Sequence, residues 1–184
     1  DLLITSPPYG DNTTTVPYGQ HSYLPLQWID PVDLPQGFDA SYLETTHEID
    51  RRSIGGSRRA ALRDAQPLRE QSPALNEILL RLADQPRDRS LRVAAFYRDL
   101  ARTLDPILAN LRLNAYMVWT VGNRKVGGLS IPMDRILREL LVARGAVEVA
   151  SIPRVIPSKR MAAKNNVSST MGSETILVLR KARR

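Results

Sequence analysis

The chain contains no cysteine, only two histidines and no long apolar run. The absence of cysteine excludes disulfides, thiolate-bound zinc and cysteine nucleophiles. With His21 and His47 as the only imidazoles, neither a histidine-based metal site nor a Ser-His-Asp triad is expected. No stretch of about 18 apolar residues and no secretory pattern is found, so the sequence predicts a soluble protein without a membrane partner.

The 184 residues, 42% of them hydrophobic, are enough for one ordinary core, and we expect a single domain over residues 1–184. The formal net charge is +7, and nearly all basic residues are arginines. Arginine suits bidentate contacts with phosphates and guanine edges, so a nucleic-acid partner is permitted. Solvated arginine-rich faces explain the same charge, and the charge alone does not decide between the two interpretations.

Breaker-free apolar stretches predict strands at residues 1–5, 115–121, 146–156 and 174–180, the third with a proline break. The first strand has the composition of a buried, central strand, yet it begins at Asp1. We therefore expect further residues upstream of it. The last two strands are joined by a long polar loop, which favours an antiparallel pair at one edge of a sheet.

Apolar residues at helical spacing predict three main helices. One follows a cap at Ser72, a second follows Ser90 and is interrupted at Asp105-Pro106, and a third runs from Pro132 to Gly145. A short helical segment is expected at 22–29. Continuous strands separated by helices indicate an α/β sheet covered by helices on both faces.

Residues 32–71 are polar and rich in breakers, which predicts an insertion or a mobile surface segment, partly helical over 42–64. The segment carries the arginines of "RRSIGGSRR" (residues 51–59). Such a cluster is typical of solvated surface, and contact with DNA is the alternative.

The first strand runs into a proline-locked turn, Ser6-Pro7-Pro8-Tyr9, which we call the opening turn. In open α/β sheets, ligands bind beyond the carboxyl ends of the strands. A rigid turn there offers a fixed hydroxyl, fixed carbonyls and a flat aromatic ring, a set that suits a planar, hydrogen-bonding substrate such as a nucleobase. The alternative is an ordinary strand-ending turn, because proline pairs are common in loops.

The motif "TSPPY" resembles the catalytic motif of S-adenosylmethionine-dependent DNA amino-methyltransferases. The stretches "TTVPYGQHS", "VWTVGNRKV", "IPSKRM" and "ETILVLRK" are also similar to parts of bacterial DNA methylase catalytic halves. The resemblance covers most of the chain apart from residues 32–71. Serine in the first motif position is typical of the enzymes that methylate N4 of cytosine, and N6 of adenine is the alternative base.

This resemblance implies a partial Rossmann-like methyltransferase sheet and a catalytic role for Ser6, Pro7, Pro8 and Tyr9. In the family, the Ser6 hydroxyl oxygen and the Pro7 carbonyl would accept hydrogen bonds from the exocyclic amine, and Tyr9 would stack on the flipped base. Thr5, Ser6 and Pro7 would form part of the S-adenosylmethionine site. C5-cytosine methylation, which in its family uses a cysteine nucleophile, is excluded.

The chain departs from the family in one respect, because it has no glycine-rich cofactor motif. The glycines of "VGNRKVGG" (residues 121–128) have the wrong spacing. The sequence therefore predicts a catalytic half whose cofactor-binding half lies upstream or on another chain.

Double-stranded DNA is the expected partner, and a turn residue and two basic clusters are its candidate contacts. Asn123 is either a turn former or a substrate contact. The basic candidates are Lys159, Arg160 and Lys164 in the loop 157–173, and Arg51, Arg52, Arg58 and Arg59 in the insertion.

Taken with the resemblance, these features predict a cytoplasmic bacterial DNA modification enzyme, for example of a restriction-modification system, that needs no metal. Two alternatives remain: a non-catalytic basic subunit that binds nucleic acid, and an amino-methyltransferase acting on RNA or protein.

Overall fold

The computed structural model describes residues 1–11, 17–156 and 172–182 of the chain. At its centre, strands β1 (Leu2–Thr5), β2 (Tyr116–Val121), β5 (Ala146–Val155) and β6 (Ser173–Lys181) form a mixed sheet in the order β1-β2-β6-β5. A separate hairpin, β3 (Arg124–Val126) and β4 (Leu129–Ile131), follows β2.

Strand directions bring the predicted site elements to one edge of the sheet. β1 pairs with β2 in parallel, and β6 runs antiparallel to both β2 and β5. The carboxyl ends of β1, β2 and β5 and the amino end of β6 therefore meet at one edge, which we call the carboxyl edge. The predicted antiparallel pair at the end of the chain is confirmed, and β5 is the outer member of that pair.

The described part of the chain contains seven α-helices: α1 (Tyr18–Leu26), α2 (Glu48–Arg52), α3 (Ala61–Asp64), α4 (Gln66–Gln71), α5 (Pro73–Ala83), α6 (Arg87–Asn110) and α7 (Met133–Ala143). Short 3₁₀ turns lie at Pro31–Asp33 and Ala40–Leu43. The predicted cap of α5 is confirmed, because the Ser72 hydroxyl oxygen accepts a hydrogen bond from the Leu75 amide at 3.1 Å. Among the helices described, none has the length and apolarity needed to cross a membrane.

The second main helix differs from the expectation at both ends. α6 begins at Arg87 rather than at Ser90, and it continues through Pro106 to Asn110 instead of stopping at Asp105. Near the last turn of a helix, a proline removes one donor but leaves its own carbonyl usable. The side-chain amide of Asn110 donates to the Pro106 carbonyl at 2.9 Å and stabilises this end.

Helices cover one face of the sheet in the described part of the chain. Met117, Trp119, Leu177 and Leu179 point into a core shared with α5, α6 and α7. Trp119 is 2% exposed and lies within this core. Burial of this apolar layer is what holds the sheet to the helices.

The opposite face is uncovered, so the expectation of helices on both faces is wrong for the described residues. Paired residues of neighbouring strands lie on the same face. By this register, five exposed apolar side chains share the uncovered face, which we call the open face: Leu2, Ile4, Tyr116, Val147 and Ile152.

β1 is an edge strand of this sheet, although its sequence predicts a buried, central one. It pairs with β2 alone among the described strands, and Leu2 and Ile4 are 60% and 69% exposed. An apolar composition shows only that a strand is suited to burial. The neighbouring strand and covering layer that would bury it are not supplied by the described residues.

The end of segment 32–71 belongs to the core rather than to the surface. Ala61 and Ala65 are fully buried and Leu68 nearly so, and α3 and α4 pack beside α5 and α6. The buried guanidinium of Arg98 donates to the Ser57 and Arg59 carbonyls at 2.8 and 2.9 Å. These bonds tie the segment to α6. The expected helical content within 42–64 is confirmed by α2 and α3.

Candidate active site

The opening turn leaves the carboxyl end of β1 and projects from the carboxyl edge. Ser6 and Pro8 are exposed, whereas Pro7 is buried and Thr5 is half-buried. Because neither proline has an amide hydrogen, the backbone at these two positions offers acceptors only. The turn therefore presents oxygen atoms to a ligand rather than a nest of donors.

The Ser6 hydroxyl group bridges the ends of two strands. The hydroxyl donates a hydrogen bond to the carbonyl of Thr120 in β2 at 3.1 Å, and its oxygen lies 3.3 Å from the Tyr9 hydroxyl oxygen. Since a serine hydroxyl has one proton, the bond to Thr120 leaves the oxygen lone pairs of Ser6 as acceptors. This geometry suits a substrate group that donates hydrogen bonds.

The Tyr9 hydroxyl is held by the carboxylate of Glu174 on β6, which is separated from β1 by β2. The half-buried ring of Tyr9 packs against the core, and its hydroxyl donates to Glu174 Oε1 at 3.0 Å. Burial raises the pKa of the Tyr9 phenol, the hydrogen bond with Ser6 opposes that rise, and the hydrogen bond and charge of Glu174 add to it, against the smaller opposing charge of Arg154. The phenol is therefore a neutral donor at physiological pH. Glu174 in turn forms an ion pair with Arg154 of β5.

Gly10 and Asp11, which follow the opening turn, are fixed by Arg124 of β3. Asp11 is 1% exposed, and its Oδ2 lies 3.4 Å from Arg124 Nη1. Burial lowers the pKa of the Arg124 guanidinium, and the adjacent Asp11 carboxylate opposes that shift. Because arginine stays protonated in proteins, the two side chains form a largely buried ion pair that connects the loop to the β3-β4 hairpin.

Asn123 lies beside the opening turn, after the carboxyl end of the parallel strand β2. Its Oδ1 accepts a hydrogen bond from the Asp134 amide at 3.3 Å, at the start of α7. This bond gives Asn123 a structural use. A contact with the substrate stays a prediction.

The predicted DNA-binding arginines of the insertion lie mostly in ion pairs. Arg51 and Arg52 each donate to Glu48 at 2.7 Å, and Arg52 also lies 2.8 Å from Asp39. Arg58 pairs with Asp88 of α6, and Arg59 is exposed. The other basic candidates, Lys159, Arg160 and Lys164, lie outside the described residues. Each of these contacts with DNA stays a prediction.

Four side chains of the site were not predicted from the sequence: Asp11, Arg124, Arg154 and Glu174. Glu174 is 165 positions from Tyr9, and only the antiparallel register of β6 brings the two together. A weak signal was available, because Arg154 and Glu174 are charged residues near strand ends that meet at the carboxyl edge. Strand direction has to be known before that signal can be used.

In the described residues, the glycine that ends β2 does not open a helix. Gly122 at the end of β2 leads into the β3-β4 hairpin rather than directly into a helix. In dinucleotide-binding folds, the glycine turn instead opens a helix whose first amide groups meet the phosphates of the ligand. Within the same residues, no three His, Asp or Glu side chains are grouped closely enough to hold a metal ion.

The chain is 34% identical over 190 aligned residues to the type II methyltransferase M.MvaI of Kocuria varians. The alignment covers 98% of this chain and 40% of that protein, so the chain spans about two fifths of the length of the curated relative. No family model matches the chain. No solved structure matches it either. The chain is thus similar to a methyltransferase over nearly all of its own length.

Proposed function

We propose that the chain is the target-base half of a DNA methyltransferase that uses S-adenosylmethionine and modifies an exocyclic amine, with N4 of cytosine as the favoured position. The similarity to a type II methyltransferase supports DNA methylation in general. The observation that carries the finer proposal is the Ser6 hydroxyl, whose proton is committed to the Thr120 carbonyl beside Tyr9 at the carboxyl edge.

The chemical problem in this reaction is the weak nucleophilicity of the amine, whose lone pair is delocalised into the base. An acceptor at Ser6 Oγ takes a hydrogen bond from the amine and favours its pyramidal, nucleophilic form. In the proposed arrangement the Pro7 carbonyl accepts the second amine hydrogen, and the Tyr9 ring stacks on the flipped base. S-adenosylmethionine would supply an electrophilic methyl group: the carbon–nitrogen bond would form as the sulfur–methyl bond breaks, the thioether would leave, and the amine would release one proton to solvent. Positioning by the residues of the chain is then the main catalytic contribution.

The cofactor-binding half is proposed to lie on the same polypeptide or on another chain. Two observations support a second half: the open face of the sheet, and the outer edge of β1, which pairs with no strand in the described residues. The proposed partner of the assembled enzyme is duplex DNA, and a bacterial modification system is its proposed setting. Methylation at N6 of adenine rests on the same geometry and is the alternative.

The test is methyl transfer from labelled S-adenosylmethionine to duplex DNA by the assembled enzyme, followed by analysis of the released nucleosides. We expect N4-methylcytosine, whereas N6-methyladenine supports the alternative base. Ser6→Ala and Tyr9→Ala are expected to abolish transfer without altering the circular dichroism spectrum. Ser151→Ala, at an exposed serine in β5, serves as a matched control that keeps activity. Wild-type turnover by the folded Ser6→Ala, Tyr9→Ala double variant would overturn the proposal. Methylation of RNA or protein but not of DNA would show that the chain belongs to an amino-methyltransferase with another substrate.

A further inference from the structure

Glu174 competes with Ser6 for one proton, that of the Tyr9 hydroxyl. The Tyr9 oxygen lies 3.0 Å from Glu174 Oε1 and 3.3 Å from Ser6 Oγ. A phenol has a single proton to donate, and a carboxylate is a stronger acceptor than a hydroxyl oxygen. The proton therefore goes to Glu174, and the Ser6 oxygen keeps the lone pair that faces Tyr9.

The position of Glu174 is fixed by the sheet rather than by the loop it contacts. Glu174 lies near the start of β6, directly opposite Arg154 of β5 in the strand register, and these two side chains form an ion pair. The Glu174 side chain is 12% exposed. A carboxylate held this way is a rigid acceptor for a tyrosine that sits on a turn, and it fixes the position of the phenol oxygen.

We infer that Glu174 is a positioning residue for base methylation, which acts by drawing the Tyr9 proton away from the Ser6 oxygen and by fixing the position of the phenol oxygen. The inference rests on the proposed function, since it assigns Ser6 Oγ as the acceptor of the target amine. Two protons are placed in this arrangement: that of Ser6 on the Thr120 carbonyl and that of Tyr9 on Glu174. Neither proton lies on a Ser6 lone pair, so the Ser6 oxygen is available to the proposed amine.

Loss of Glu174 has a specific consequence in this arrangement. Without the carboxylate, the nearest described acceptor for the Tyr9 proton is Ser6 Oγ at 3.3 Å. That bond takes one of the two Ser6 lone pairs and so competes with the amine for the same oxygen. Removing the Tyr9 hydroxyl in the same protein frees the lone pair again. A side chain with a purely structural role gives no such recovery, because two losses of packing or hydrogen bonding add or saturate.

The experiment measures kcat and KM for duplex DNA methylation by the assembled enzyme and four variants. Glu174→Ala is expected to lower kcat by about ten- to hundredfold, the range for losing a hydrogen bond to a charged group, with little change in KM. The Glu174→Ala, Tyr9→Phe double variant is expected to be faster than Glu174→Ala alone. Glu174→Gln, which keeps an acceptor oxygen without the charge, should lie between Glu174→Ala and wild type.

Glu148→Ala is the matched control, because Glu148 is also on β5-β6 but pairs with Arg138 at 3.3 Å, away from the opening turn. Its kcat should equal that of wild type. The inference is overturned if Glu174→Ala and Glu174→Gln retain wild-type kcat, or if the added Tyr9→Phe change gives no recovery. If the wild-type enzyme transfers no methyl group to DNA, the proposed function fails instead, so the two failures are distinguishable.

Discussion

Gly10 lies directly against the guanidinium of Arg124: a Cβ atom at position 10 would stand 1.6 Å from Arg124 Nη1. The arginine side chain is 20% exposed and pairs with the nearly buried Asp11. It cannot withdraw without weakening that ion pair. The loop after the opening turn and the β3-β4 hairpin are therefore fitted to each other at a glycine, which needs no unusual backbone angle there.

Gly10→Ala should destabilise the loop by overpacking. We expect a loss of about 1–3 kcal/mol in the free energy of unfolding, the usual range for forcing extra atoms into a packed site, and a fall in methyl transfer. Urea unfolding and the methylation assay measure the two effects. Gly172→Ala is the control, because a Cβ at that position meets no atom of the described residues within 4 Å. Equal stability of the two variants would contradict this account of Gly10.

Breaking the Asp11–Arg124 pair should be costly, because it removes one of the two charges of a largely buried ion pair. For Arg124→Met we expect a loss of about 3 kcal/mol, the low end for a buried pair, since the arginine is partly exposed. The Asp11→Asn, Arg124→Met double variant should lose less than the sum of the two single variants.

The pair of Arg81 with Glu77 provides a surface comparison, because both side chains are more than half exposed and their charged atoms are 3.7 Å apart. Arg81→Met should cost less than about 1 kcal/mol. Similar losses for Arg81→Met and Arg124→Met would mean that the Asp11–Arg124 pair contributes no more than an exposed one.

Local signals in the sequence predicted local features well. Ser72 followed by Pro73 indicates a cap because both effects act within one turn of helix, and the structure confirms it. Pro106 predicts the end of a helix because of its local effect on the backbone. In the structure α6 continues past it to Asn110, where the packing of the helix outweighs that local effect. Helix ends set by tertiary contacts lie beyond such reasoning.

Features that depend on distant parts of the chain were not predictable in the same way. The opening turn was found because Ser6, Pro7, Pro8 and Tyr9 are consecutive. The Glu174 contact was missed because it needs the register of β6. The open face shows the same limit, since the apolar residues of β1 indicate suitability for burial but not what buries them.

Stability should fall at alkaline pH through the buried tyrosine of α6. Complete burial raises the pKa of Tyr97 well above its usual value. The folded chain then holds this proton where the unfolded chain has released it. The contribution of the protonated Tyr97 to the free energy of unfolding is fully present below about pH 10, the ordinary tyrosine pKa, and it is lost as the pH rises above that value.

One such group lowers the free energy of unfolding by about 1.4 kcal/mol for each unit of pH above the ordinary tyrosine pKa. Tyr97→Phe should therefore show a shallower loss of unfolding free energy between about pH 10 and 11 than wild type, as measured by urea unfolding. Tyr18→Phe, at a tyrosine that is 51% exposed, is the control. Parallel pH profiles for wild type and Tyr97→Phe would rule out this contribution.

The chain on its own should self-associate and bind S-adenosylmethionine weakly or not at all. The open face exposes Ile4 and Ile152 by 69% and 50%, and the outer edge of β1 has no partner strand in the described residues. Exposed apolar patches and free strand edges promote association. Sedimentation velocity should show oligomers that the Ile4→Lys, Ile152→Lys variant reduces.

Leu80→Lys is the matched control for this prediction, because Leu80 is 55% exposed but lies on α5, away from the open face. It should leave association unchanged. A monomeric wild-type chain that binds the cofactor with micromolar affinity in calorimetry would contradict both parts of the prediction.

The basic residues of the loop between β5 and β6 should supply phosphate contacts, whereas Arg51 and Arg52 should contribute little. β5 runs parallel to β1, so its carboxyl end lies at the same edge as the opening turn. The loop that carries Lys159, Arg160 and Lys164 therefore starts from the edge where the base is proposed to bind. Arg51 and Arg52 are already paired with Glu48, and Arg52 also with Asp39.

A salt titration of duplex DNA binding by the assembled enzyme separates these two groups. Each lost phosphate contact lowers the slope of log affinity against log salt by about one unit, so Lys159→Ala, Arg160→Ala, Lys164→Ala should flatten it by up to about three units. Arg51→Ala, Arg52→Ala should change it by less than about one unit. Identical slopes for the triple variant and wild type would mean that the loop is ordinary solvated surface. A large change for the arginine variant would show that its ion pairs open on DNA. Only a guanidinium that has left its carboxylate can neutralise a DNA phosphate and displace the counterion of that phosphate.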